Sequence, residues 1–160
     1  MPAAAIDTQF TADPGALDGT VVAVIPAPRD AVFRCYAQPE LLARWWSPPS
    51  LEVRIERFEA HTGGSWRMLN IDGDGNEFAF RGVFHEVAAP ERIVQTFEYE
   101  GAPGSLCLQT ATFREVDGGT EVTEHAVFTS VADRDGMADQ GWRDFAPVGM
   151  AQLAEVARGL

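Results

Sequence analysis

Few side chains in this sequence could do chemistry, and they are spread along its length. Two strand-like segments near the C-terminus alternate in step. Cys107, Gln109, Ala111 and Phe113 share one face of the first, and Val122, Glu124 and Ala126 share one face of the second. Folding them into a hairpin over Asp117-Gly118-Gly119 sets Gln109 opposite Glu124, beside Phe113 and Val122. A glutamate on an apolar face has to be paired or protonated. A raised carboxyl pKa there makes it a candidate general acid or base. The competing arrangement has a bulge that turns Glu124 to solvent and His125 inward.

The other reactive types give less. His61, His85 and His125 fall in different segments without metal-ligand spacing, so no metal is expected. Asp72-x-Asp74-x-Asn76 imitates the opening of a calcium loop, but Glu77 occupies the sixth position, where glycine is required, and Val83 the twelfth; it reads as a turn. No serine has the Gly-x-Ser-x-Gly frame, and Cys35 and Cys107 sit in no reactive motif. All twelve basic residues are arginine, so Schiff-base and phosphate-loop lysines are excluded. No cofactor is expected.

Composition narrows the class further. The 160 residues, 46% of them hydrophobic, suit a single packed domain. A net charge of −12 with no basic run argues against nucleic acid and against anionic membranes. No apolar run approaches the ~20 residues of a membrane span. The first residues lack both a basic start and an apolar core, so no signal peptide is expected, and two cysteines form no disulfide framework. These readings place the protein in the cytoplasm. A homodimer is left open.

The elements that must position these residues follow from periodicity. Residues 1–19 are small and polar and read as a lead-in; residues 20–160 form the domain. Val21–Ile25 is a first strand. Pro28–Ala37 and Pro39–Trp46 are two short helices, each opened by proline, with Val32 and Tyr36 on one face of the first. Ser47-Pro48-Pro49-Ser50 stops the second. Strands then run to Phe128, with Phe78, Phe80 and Phe84 on one face of one of them and Gln95 in line with Ile93, Phe97 and Tyr99 on the next. About seven strands in one antiparallel sheet need a cover, and a helix from about Asp133 to Arg158 offers one. Its stripe is Trp142, Phe145, Gly149, Leu153, Val156 and Leu160. Pro147 interrupts that pattern: either the helix kinks there, the favoured reading, or it breaks and restarts with Asp144 as N-cap.

Together these segments resemble the START-like (SRPBCC) superfamily, and most closely the branch named after the C-terminal domain of the heat-shock-protein-90 ATPase activator. The matching stretches are A-P-R-D-A-V-F at 27–33, P-E-L-L-A-R-W-W-S-P at 39–48, G-G-S-W-R at 63–67 and G-V-F-H-E-V at 82–87. P-E-R-I-V-Q-T at 90–96, G-T-E-V-T at 119–123 and G-W at 141–142 continue the order. The acidic residue that the branch often carries before its double glycine falls at Glu59. The resemblance implies an α+β helix-grip fold, a bent sheet around the C-terminal helix with a cavity between them for apolar molecules.

Polar candidates for such a cavity are Arg67, Gln95, Gln109 and Glu124. Aromatic candidates are Trp45, Trp46, Trp66, Phe80, Phe84, Phe97, Trp142 and Phe145. The expected function is binding of a small apolar or aromatic, lipid- or polyketide-like ligand. The alternatives are a cyclase or hydrolase using Glu124, and a chaperone-interaction module. A chaperone contact is not expected, because the chain lacks the activators' separate N-terminal domain. Adjacent helix positions point about 100° apart, so Trp45 and Trp46 should divide core and cavity between them.

Overall fold

The computed structural model describes residues 4–160. Eight strands form one antiparallel sheet: β1 (Thr8–Thr11), β2 (Asp18–Ile25), β3 (Glu52–Phe58), β4 (Ser65–Ile71), β5 (Glu77–Ala88), β6 (Arg92–Tyr99), β7 (Leu106–Val116) and β8 (Gly119–Phe128). Their order is β1-β2-β8-β7-β6-β5-β4-β3, so β2 pairs with the last strand and β3 to β8 run as a meander. Helices α1 (Arg29–Ala37) and α2 (Pro39–Leu42) leave from β2. Helix α3 (Val131–Met137), a π-helical turn (Ala138–Trp142) and α4 (Arg143–Arg158) follow β8. The architecture is α+β and helix-grip, with eight strands rather than seven.

The added strand, β1, lies within residues that read as a lead-in. Its alternation is short: Phe10 turns inward between two polar neighbours and meets Trp142 edge-on, ring centroids 4.9 Å apart. Strand β2 starts at Asp18, three residues before the apolar run shows it, because Gly19 packs under Trp142. A Cβ there would lie 2.6 Å from the indole.

The apolar faces close on one another as their periods require. Leu153, Val156, Met150 and Ala154 of α4 share a core with Val21, Ile25, Val32, Phe33, Phe113 and Val122. Leu160, the last residue of the stripe, lies beyond the end of α4 and is exposed. Helix α2 is shorter than its pattern; single hydrogen-bonded turns carry the chain on through Trp46.

The break in the C-terminal helix falls at Gly141, not at Pro147. Gly141 has φ 149° inside the π-helical turn, a conformation that a Cβ would strain. Pro147 is carried inside α4, where it removes a hydrogen bond to the Arg143 carbonyl. Arg143 and Pro147 are both exposed, so water can take that acceptor. Among the described residues no helix is long and apolar enough to cross a membrane.

Candidate functional site

Between the inner face of the sheet and the C-terminal helices lies a cavity of about 690 Å³. That falls within the range of small-molecule sites, about 300–1,000 Å³. Strand alternation decides which side chains reach it. Inward residues of β8 are Val122, Glu124 and Ala126, and β7 and β8 pair without a bulge. His125 consequently faces outward, where its Nε2 meets Asp18 Oδ2 at 2.9 Å.

Glu124 opposes Ala111 on β7 and Val21 on β2, so apolar residues flank it on both sides. Gln109 opposes Ala126, one inward position along, rather than Glu124. The hairpin closes on Val116 and Gly119 around a two-residue turn, Asp117-Gly118, and that sets the register. Gln109 instead accepts a hydrogen bond from Gln95 Nε2 on β6, at 3.2 Å, and both amides line the cavity.

Tyr36 completes this end of the site. Its hydroxyl donates to Glu124 Oε2 at 2.6 Å. Sequence reasoning assigned Tyr36 to the apolar face of α1 and missed its polar end. Burial pushes the Glu124 carboxyl above its ordinary range, and the Tyr36 hydrogen bond pulls the other way. The Tyr36 phenol is raised well above its usual value by burial first and by the Glu124 charge second.

The opposite wall is aromatic. Trp46 lies edge-on to Phe80 at 5.4 Å and to Trp66 at 6.4 Å, and Phe80 stacks on Phe97 at 5.4 Å. These four side chains, with Trp142 and Phe145 from the C-terminal segment, line the cavity. Trp45 is only 4% exposed; its Nε1 donates to the Cys35 carbonyl at 2.9 Å, while one edge of the indole meets the cavity beside Tyr36. The two tryptophans thus divide as their angular separation requires, Trp45 mainly to the core and Trp46 to the cavity wall. Gln152 of α4 holds the loop that carries them, donating from Nε2 to the carbonyls of Trp45 and Ser47, each at 3.0 Å.

Two candidates lie elsewhere. Arg67 alternates with the inward Trp66 and Met68 and so projects from the outer face, where it pairs with Glu56 and Glu100. Phe84 faces inward but is sealed in packed core, 1% exposed, with Phe58 edge-on against it at 5.4 Å; Phe58 meets the cavity in its place. Glu59 also has a local task. Its Oε1 accepts hydrogen bonds from the Ser65 amide and hydroxyl at 3.1 and 3.0 Å, closing the Gly63-Gly64 turn. Asp72 Oδ1 accepts from the amides of Asp74 and Asn76, each at 2.9 Å, and the would-be calcium loop is an Asx-type turn. Burial raises the thiols of Cys35 to about 11 and Cys107 to about 12, which leaves both as unreactive core residues.

A bent antiparallel sheet packed against a long C-terminal helix defines a START-like, helix-grip protein. More specifically, the chain belongs to the family described as "Activator of Hsp90 ATPase homolog 1-like protein", whose profile matches residues 26–155. Among proteins of curated function, none matches the sequence. Solved structures agree on the fold. A crystal structure from Rhodobacter sphaeroides superposes with a TM-score of 0.87 at 21% identity, covering 96% of this chain and 99% of that one. A solution structure from Arthrobacter aurescens gives 0.85 at 23% identity, covering 95% and 92%. Protein Ms6760 from Mycobacterium smegmatis gives 0.83 at 22% identity, covering 94% and 96%.

Proposed function

We propose that the protein binds a small apolar or aromatic molecule, lipid- or polyketide-like, in the cavity between sheet and C-terminal helices. One observation carries this reading: a space of about 690 Å³ is walled by Trp46, Trp66, Phe80, Phe97, Trp142 and Phe145, with a few polar groups gathered at Glu124, Tyr36, Gln95 and Gln109. Apolar walls supply affinity, and grouped polar atoms fix orientation. Thermal shift against a panel of fatty acids, sterols and polycyclic aromatics tests the proposal. A dose-dependent rise in Tm with at least one class is expected. No shift with any of them sinks it.

A second reading has its own support. Glu124 with a raised carboxyl pKa, donor-paired to Tyr36 inside an apolar cavity, is equipped for general acid–base work on a bound ring or ester, as in a cyclase or hydrolase. Glu124→Gln would then remove turnover of an identified substrate while leaving its binding within about twofold. Full turnover by that variant excludes it.

A further inference from the structure

The cavity has an electrostatic asymmetry. Of its lining residues only Glu124 carries a carboxylate, and no arginine reaches it; His125, the one other titratable base on its border, turns its ring outward to Asp18. Lysine is absent from the sequence. Glu124 is therefore an acid with no cationic partner among the described residues. Its direct neighbours across the sheet are Val21 and Ala111. One donor serves it, the Tyr36 hydroxyl on Oε2, which leaves Oε1 without a hydrogen bond. With one neutral donor and its other oxygen open to the cavity, the carboxylate is a half-made pair that a positive group in the cavity would complete. The net charge of −12 adds a long-range preference of the same sign.

From this arrangement we infer that the ligand is a cationic amphiphile, an apolar or aromatic body bearing a protonated amine, with the ammonium seated against Glu124 Oε1. The inference rests on the cavity reading and narrows it. The body occupies the wall of Trp46, Phe80 and Phe97, and the ammonium supplies the positive partner that the protein itself withholds. A ligand carboxylate would meet Glu124 as a like charge with no basic residue to receive it. A neutral alcohol would fill the same volume but leave the carboxyl's charge uncompensated.

Calorimetric titration of the full chain with naphthylethylamine, naphthylethanol and naphthylacetate, near neutral pH, tests the inference. These three probes share a body and differ in the head group. The wild type should bind the amine at one site at least about tenfold more tightly than the alcohol, and the acetate more weakly than either. In Glu124→Gln the preference for the amine over the alcohol should fall to within about twofold. Equal binding of amine and alcohol by the wild type overturns the cationic ligand while leaving the cavity reading intact. So does an amine preference that survives in Glu124→Gln, because it would come from surface charge. Failure of all three to bind counts against both.

Discussion

Glu124 is an acid held among apolar neighbours, and its linkage to pH follows from that. Its folded carboxyl is raised, whereas the unfolded chain gives it the ordinary value of about 4.3. Between those two values the folded form binds the proton and the unfolded form does not. Stability therefore falls as pH rises through that window and stays lower above it. Glu124→Gln removes this loss and keeps an acceptor for the Tyr36 hydroxyl. We expect its Tm to exceed that of the wild type at neutral pH by at least about 2 °C, with the gap closing below about pH 4. Calorimetric scans across that range check the sign; a less stable variant at neutral pH would show that the charge is compensated. The inward face of Glu124 was legible in the sequence because Val122 and Ala126 flank it at period two. Its facing residue was not. The register hangs on whether Gly119 belongs to the turn or to the strand, and a two-residue slip preserves the face while changing the partner. Tyr36 was missed for a different reason: its hydrogen bond spans 88 positions, and no local pattern reports such a contact.

The elements themselves were easier to read, because each carries a long apolar period, and the exceptions are those that lack one. Strand β1 offers one inward aromatic in four residues, so its existence depends on the Trp142 it covers. Helix α4 shows the reverse case. Pro147 was the loud local signal, yet the backbone bends at Gly141, since only glycine admits the required φ and an exposed proline can be carried. Trp142 ties both together, edge-on to Phe10 and tilted on Phe128 with ring centroids 5.9 Å apart. Trp142→Ala should cost about 3 kcal/mol in chemical denaturation and loosen β1 with it. A loss under about 0.5 kcal/mol, the level of surface substitutions, would mean that the segment docks independently of the indole.

At the scale of the molecule, the sheet and the C-terminal helices meet closely at one end and part at the other. Val21, Ile25, Val32, Phe113, Val122 and Leu153 fill the first end, and the cavity occupies the second. The stretch at 39–48 is one of those that carry the resemblance to this fold, and its physical role is now plain. Trp45 anchors the short helices in the core, Trp46 walls the cavity, and Gln152 clasps the loop between them and α4. Arg67 belongs to the same family stretch as Trp66 but serves the outer face, where it joins β3 to the end of β6 through Glu56 and Glu100. Ligand binding in the cavity is most directly tested by fluorescence titration with the uncharged probe N-phenylnaphthylamine, comparing the wild type with Ala111→Leu. Ala111 lines the cavity opposite Glu124, so the larger side chain takes ligand volume without touching the outer surface. Saturable one-to-one binding by the wild type, weakened about tenfold or more in an equally folded Ala111→Leu, is the predicted result. Equal binding by both proteins, or no saturable binding by the wild type, would contradict it.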